Sequence, residues 1–267
     1  MAYEAILFEK RGHVAILTLN QPERLNAISA TLRAEVHAAV DEAHANDQVR
    51  ALVVTGAGRG FCSGADLTGL TQGLVPPRPT TQAGMLDEDG WVGRWARLFH
   101  HFDKPVIAAV NGVAAGAGMS TALAADLRVG CENSRFKTVF IERSLSPDSG
   151  MSYFLPRIIG YARAADLIFT SRAVDAEEAW RLGLLDRLVK ADVLVEEAVK
   201  LADEMAQWPP LALRMSKRAL QHNFEADLDA ALRYESVCLG LGRKAVNDVK
   251  ESGRAFVEKR KPTYTGT

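Results

Sequence analysis

The stretch from Lys104 to Asp126 constrains the fold more than any other part of this 267-residue chain. Lys104-Pro105 leads into Val106-Ile-Ala-Ala-Val110, an apolar run with the length of a buried strand. It breaks at Asn111-Gly112. The following residues, Val113-Ala-Ala-Gly-Ala-Gly-Met-Ser-Thr-Ala-Leu-Ala-Ala-Asp126, are mostly small and run into a helix. A second turn of this kind, Gly56-Ala-Gly-Arg-Gly-Phe-Cys-Ser-Gly-Ala-Asp-Leu67, follows the apolar strand Ala51-Leu-Val-Val-Thr55. Small side chains let a ligand approach the backbone closely. A turn that opens a helix leaves several N–H groups unpaired and directed outward. Such groups hold an anion or a developing oxyanion.

The rest of the chain extends the strand-and-helix pattern. Val14-Ala-Ile-Leu-Thr-Leu19 reads as a buried strand between Gly12 and Asn20-Gln-Pro22. Leu32, Val36, Val40 and Ala43 recur at helical spacing, and Leu127-Arg-Val-Gly-Cys131 reads as a fourth strand. The alternation predicts an α/β fold with a covered sheet. After about residue 160 the strand signals stop. Asp175-Ala-Glu-Glu178 resembles a helix start and Gly183 a stop. Helical patterns cover 192–206, 210–223 and 226–257, with Pro210 suited to a first turn. The expected organisation is an α/β core over 1–200 and a helical region over 201–267, with no flexible linker between them. The segment 74–89, with Pro76-Pro77-Arg78-Pro79, reads as a long loop, either a surface insertion or a pocket lid.

Composition narrows the function. Lys and Arg number 32 against 33 Asp and Glu, so no global charge draws the chain to nucleic acid or membrane. A hydrophobic fraction of 48% excludes a disordered chain. Cys62, Cys131 and Cys238 fit neither a zinc spacing nor a disulfide framework, which suggests a reducing compartment. The first residues lack the basic-then-apolar order of a secretory leader, and no apolar run nears the ~18 residues of a membrane span. A soluble, cytoplasmic protein is expected. Neither small-residue turn carries the Lys-Ser/Thr pair of a phosphate-binding loop. The spacing Gly56-x-Gly58-x-Gly60 is not that of a dinucleotide fingerprint.

Phe61-Cys-Ser-Gly-Ala-Asp-Leu67 and Lys104-Pro-Val-Ile-Ala-Ala-Val-Asn-Gly-Val-Ala-Ala-Gly-Ala-Gly118 resemble the two signatures of the crotonase (enoyl-CoA hydratase/isomerase) superfamily. The likeness extends over nearly the whole chain. It takes in Asn20-Gln-Pro-Glu-Arg-Leu-Asn-Ala27, Leu155-Pro-Arg-Ile-Ile-Gly160, Ala179 to Leu184, and Phe256-Val-Glu-Lys-Arg-Lys-Pro262. The resemblance implies a crotonase-like spiral of ββα units with a C-terminal all-helical trimerisation region. It implies an acyl-CoA thioester substrate and a homotrimer or dimer of trimers. No separate cofactor is implied, since coenzyme A is part of the substrate. The thioester oxygen would sit between the N–H groups of Ala65 and Ala117, each donor worth ~3 kcal/mol in the transition state. The second position is usually glycine in the family, so alanine requires a backbone that tolerates Cβ. Substrate contacts are implied at Arg24, Leu25, Ala27, Ser63, Asp66, Leu67, Val113, Phe140, Phe256 and Lys259. Arg24 and Lys259 are the candidates for the CoA phosphates, Lys259 from a neighbouring subunit.

The chain departs from the hydratases of this family, which hold and activate water with two glutamates. Their positions are Ser120 and Phe140 here. Glu142, on an extended segment, would share a face with Phe140, but its neighbours make it a weak substitute. Leu145-Ser-Pro-Asp-Ser-Gly150 places Asp148 where the family's Δ3,Δ2-enoyl-CoA isomerases, and related isomerases of ring-oxygenated phenylacetyl-CoA, carry a single acid. One carboxylate can take a proton from C2 and return it at C4. Asp148 is otherwise read as a helix cap. Asp66 and Asp126 read as structural, and the six histidines show no metal spacing. His100-His101 is weighed against the histidine of related dehalogenases, which falls nearer Gly93. An isomerase using Asp148 is the leading expectation. The alternatives are a hydratase or hydrolase with a rearranged water, and an acyl-CoA-binding protein without catalysis.

Overall fold

The computed structural model describes residues 3–68 and 79–267, so residues 74–78 of the proline-containing loop lie outside the described residues. In chain order, β1 (Ile6–Arg11) and β2 (Val14–Leu19) are followed by α1 (Ala30–Ala45), β3 (Ala51–Gly56) and β4 (Gly60–Cys62). Then come α2 (Gln82–Met85), α3 (Gly90–His100), β5 (Val106–Val110), β6 (Val113–Ala115) and α4 (Ala117–Ala124). β7 (Leu127–Cys131), β8 (Arg135–Lys137), α5 (Met151–Ile159), α6 (Tyr161–Thr170), β9 (Val174–Asp175), α7 (Ala176–Leu182) and β10 (Arg187–Val189) complete the α/β part. The chain continues through α8 (Leu194–Ala206), α9 (Pro210–Asn223), α10 (Leu228–Gly242) and α11 (Val246–Glu258).

Two sheets share these strands. One has the order β1-β2-β3-β5-β7-β10, the other β4-β6-β8-β9. Strands β3, β5 and β7 pair in parallel in the first sheet, and β4, β6 and β8 pair in parallel in the second. Each ββ step therefore gives one strand to each sheet before a helix returns the chain. That repeat is the ββα spiral expected from the sequence. The strand runs are apolar throughout because both faces of the large sheet are covered. Ala15, Leu17, Leu52, Val54 and Val106 face the core shared with α1, α3 and α4. Val14, Ile16, Val53, Ile107 and Val129 face Leu194, Ala198, Leu201 and Ala202 of α8.

Two details differ from the sequence expectation. Strands do not stop near residue 160, because β9 and β10 follow. They are two and three residues long, too short to show a period. The pattern over 226–257 is two helices, broken at 243–245 between α10 and α11. The termini of α7 follow the sequence, with Asp175 accepting from the Glu178 N–H and Gly183 left-handed at φ +84°.

The helical region is fastened to the body by charges at the entry to β5. Arg214 and Arg218 of α9 donate to Asp103 Oδ2 at 2.7 and 2.8 Å. Lys217 donates to Asp126 Oδ2 at 2.7 Å and to Lys104 O at 3.0 Å. Lys104 Nζ in turn donates to the carbonyls of Ala43, His44 and Asn46 that end α1, at 2.8, 3.1 and 2.8 Å. A buried cation at a helix C-terminus satisfies carbonyls that have no partner in the helix. On α10, Leu228, Leu232 and Val237 are half or more exposed in the single chain. Among the described residues, no helix is long and apolar enough to cross a membrane. Lys104→Met should leave the Ala43 and His44 carbonyls without the ammonium donor, while Asn46 O keeps Val49 N, and lower stability by about 2 kcal/mol, read from the urea denaturation midpoint.

Candidate active site

The first wall of the site is built by a turn that only a few residue types can make. After the short 3-10 turn Pro22–Arg24, Leu25 and Asn26 are both left-handed, at φ 51° and 56°. Asparagine adopts this conformation more readily than most residues. Asn26 is fully buried and uses its whole amide: Oδ1 accepts from Gln21 N at 2.9 Å, and Nδ2 donates to Ala57 O and Gly60 O at 3.0 and 2.8 Å. It locks the N-terminal turn to the turn after β3. The sequence reading quoted Asn26 in a motif without giving it this role. Its signal was an Asn two residues after a Pro-Glu-Arg turn. Leu25 packs against Gly60, and its carbonyl accepts from Ser63 N at 2.9 Å.

Ile28 then pairs with the second small-residue segment as a parallel bridge to Ala65. Ile28 N donates to Gly64 O at 2.7 Å, and Asp66 N donates to Ile28 O at 3.3 Å. The bridge uses the groups on either side of Ala65, so the N–H of Ala65 points away from Ile28. Asp66 orders this loop as expected. Its carboxylate accepts from Arg24 at 2.8 Å and from Thr68 N and Oγ1 at 2.9 and 2.5 Å. These bonds, those of Thr68 foremost, hold its pKa below the usual carboxylate value.

The second wall is the start of α4. Gly116 precedes it at φ 50°, ψ −125°, and donates its N–H to Lys137 O at 3.0 Å. Glycine takes up the positive φ at this point. Ala117 itself is helical and buried, and its Cβ brings no backbone strain. As the first helical residue, its N–H has no carbonyl one turn earlier to bond. The two walls touch through main chain. A Cβ on Gly64 would lie 2.8 Å from Ala115 O and 3.5 Å from Ala117 N, and one on Gly118 would lie 2.1 Å from Cys62 O. The segment carrying Ala65 is thus pressed against the helix end carrying Ala117.

One turn into α4, the buried Ser120 directs its hydroxyl at Asp148 O, at 3.4 Å. Asp148 is half-buried, and burial raises its pKa, offset in part by the Ser149 hydroxyl. Neither Asp148 Oδ1 nor Ser149 Oγ has a partner in hydrogen-bond geometry. The capping alternative does not hold. The N-cap of α5 is Gly150, with no side-chain capping bond, and Asp148 contributes only its carbonyl, to Met151 N at 2.9 Å. Phe140 is buried at the turn after Val139. Glu142 does not share its face on an extended strand. It lies in a 3-10 turn, 47% exposed at the side chain and paired with Lys137 at 2.7 Å.

Arg24, Ala27, Ser63, Ala65, Asp66 and Leu67 line one open cavity of about 330 Å³, with Arg143 as a lining residue that sequence reasoning did not select. Val113 opens β6, half-buried. Phe256 and Lys259 are not brought to this cavity within one chain. Phe256 is 86% exposed, and Lys259 is the exposed left-handed residue ending α11. His100 is half-buried against Tyr153 and Phe154, on a cavity distinct from the one holding Ala65. Among the described residues no cluster of His, Cys, Asp or Glu is placed to hold a metal ion.

The fold and the family match together set the class, an acyl-CoA-processing enzyme. The enoyl-CoA hydratase/isomerase family profile matches residues 9–267, and the chain belongs to that family. It is 36% identical over 270 residues to the 1,2-epoxyphenylacetyl-CoA isomerase of Escherichia coli, covering 98% of this chain and 99% of that protein. It is 33% identical over 265 residues to the crotonyl-CoA hydratase of Syntrophomonas wolfei, with 99% of each chain covered. The crystal structure of an enoyl-CoA hydratase from Bacillus anthracis superposes with a TM-score of 0.90 at 30% identity, covering 99% of this chain and 100% of that one.

Two outcomes follow from the geometry. Gly118→Ala should abolish soluble folded protein or turnover, because the new Cβ meets the backbone carbonyl of Cys62 rather than a movable side chain. The raised pKa of Asp148 means that the folded chain binds its proton more tightly than the unfolded chain. Stability from this group therefore falls as pH rises through the folded pKa. Asp148→Asn should be more heat-stable than the wild type at pH 7, with the gap in Tm narrowing as pH is lowered.

Proposed function

We propose that this protein is an enoyl-CoA isomerase that moves a double bond by proton transfer through Asp148. The observation that carries this is the state of its carboxylate: half-buried, with a free oxygen and a raised pKa, on a turn whose main chain meets Ser120 of the helix that Ala117 opens. In this reading the thioester oxygen accepts from the N–H groups of Ala65 and Ala117. Negative charge that gathers on this oxygen when C2 loses a proton is stabilised there. Asp148 takes the C2 proton, the C2–H electron pair becomes the C2–C3 double bond, and the C3–C4 double bond breaks as its electron pair takes the same proton back from the carboxyl at C4. Nothing else is consumed. Desolvation makes the carboxylate a stronger base than a solvated one, and it keeps the proton long enough to deliver it.

The residues at 120 and 140 support the same choice. A serine and a phenylalanine cannot activate water as two carboxylates do, and Glu142 is held outside by Lys137. Arg24, exposed beside the cavity, is the candidate for a CoA phosphate, and Leu25, Ala27, Ser63, Asp66, Leu67, Val113 and Phe140 for contacts to the rest of the substrate. Phe256 and Lys259 would serve only from a neighbouring subunit. The exposed apolar positions on α10 support a trimer or a dimer of trimers as the working assembly. Hydration through Asp148 and a rearranged water is the second reading, favoured by the hydratase names of several relatives.

Asp148→Asn should lower isomerisation of a 3-enoyl-CoA by at least ~100-fold, with acyl-CoA affinity little changed. Wild-type protein in deuterated water should exchange the C2 proton of an acyl-CoA. Absence of exchange together with hydration of a 2-enoyl-CoA would replace the isomerase by the hydratase. Its kcat/KM should fall with acid, at a pH above the usual carboxylate range, as Asp148 takes up its proton. Sedimentation at micromolar concentration should give a trimer or hexamer, and a monomer would contradict the assembly.

A further inference from the structure

Two buried polar side chains outside the open cavity form a one-way chain of hydrogen bonds that ends on Ala117. Trp95, on the inner face of α3, is fully buried and donates Nε1–H to Thr121 Oγ1 at 2.7 Å. Thr121, also buried, donates its hydroxyl to Ala117 O at 2.8 Å. The direction is unambiguous. An indole nitrogen only donates and a carbonyl only accepts, so the hydroxyl between them has one orientation. A threonine hydroxyl bonded back to the carbonyl four residues earlier bends a helix. Here the back-bond is made to the residue whose N–H opens the helix. The next residue of α3, Ala96, packs on the other half of the site: a Cβ on Gly150 would lie 3.3 Å from Ala96 Cβ, two residues beyond Asp148. One helix thus bonds to the start of α4 and passes beside Gly150, at the end of the turn that carries the carboxylate.

We infer that Trp95 and Thr121 are positioning residues that set the orientation of the Ala117 N–H toward the thioester oxygen. This rests on the oxyanion reading of Ala65 and Ala117, but not on which reaction follows. A donor acts fully only when it is 2.7–3.1 Å from the position the oxyanion will take, so a small rotation at Ala117 costs rate without costing CoA contacts.

The test uses full-length protein and butanoyl-CoA with an isotope-labelled thioester carbonyl, a saturated probe that is not isomerised. In wild type, binding should lower the carbonyl stretching frequency. Thr121→Val should lose part of that lowering and reduce kcat by about 10-fold at little changed KM, less than the ~100-fold for removing a donor outright. Thr121→Ser should restore both. Because Thr121→Val leaves the Trp95 N–H buried without a partner, it also lowers stability. The double variant Trp95→Phe, Thr121→Val removes both polar groups and should regain stability while kcat and the carbonyl frequency stay impaired. A full wild-type frequency shift in Thr121→Val, or wild-type kcat in the double variant, would overturn the positioning role alone. No shift in wild type would overturn the oxyanion site itself and this inference with it.

Discussion

Backbone lies against backbone where β4 meets the first turn of α4, with no room for even a methyl group between Gly118 and the Cys62 carbonyl. Interiors this dense transmit a displacement rather than absorb it. Everything at the site depends on that contact. It holds the segment of Ala65 beside the N–H of Ala117, and it fixes the helix on which Ser120 meets the Asp148 turn. The left-handed Asn26 and the positive-φ Gly116 are the local costs of this arrangement, each offset by hydrogen bonds to neighbouring strands.

Electrostatics divide the molecule into two kinds of buried charge. Asp103, Lys104 and Lys217 are buried and hydrogen-bonded, Asp103 to Arg214 and Arg218, Lys104 to main-chain carbonyls and Lys217 to the more exposed Asp126, and they join the helical region to the entry of β5. Asp148 is of the other kind, partly desolvated, with its pKa raised by burial and no ion pair to offset it among the described residues. A protein gains nothing in stability from such a group, which is why perturbed carboxyls mark functional sites more often than structural ones. Glu142 illustrates the contrast only a few residues away. It is solvated and ion-paired, and its pKa is lowered.

Much of this was legible in the sequence. The central strands declared themselves because both their faces are buried, so no polar residue interrupts Val106 to Val110. The paired small-residue turns announced a close backbone approach, and Asp148 stood out by motif position. What escaped was short or non-local. The strands β9 and β10 have too few residues for a period. The extended course that would have set Glu142 on the face of Phe140 is absent because the left-handed Val139 turns the chain, which residue type does not reveal. The Trp95–Thr121 bond joins residues that no spacing rule connects. Phe256 and Lys259 sit on the outer helices, and the single chain gives them nothing at the site to touch.

The two N–H groups of Ala65 and Ala117 belong to the main chain, which gives the site an uneven mutational grammar. Apart from proline, a side-chain replacement at either position leaves the donor atom in place. The side chain at 148 lies outside the contact between the two walls. On the proposed roles, polarising the substrate and choosing what happens to it are written in separable parts of the molecule. A lineage, or a laboratory selection, can revise the second while inheriting the first unchanged.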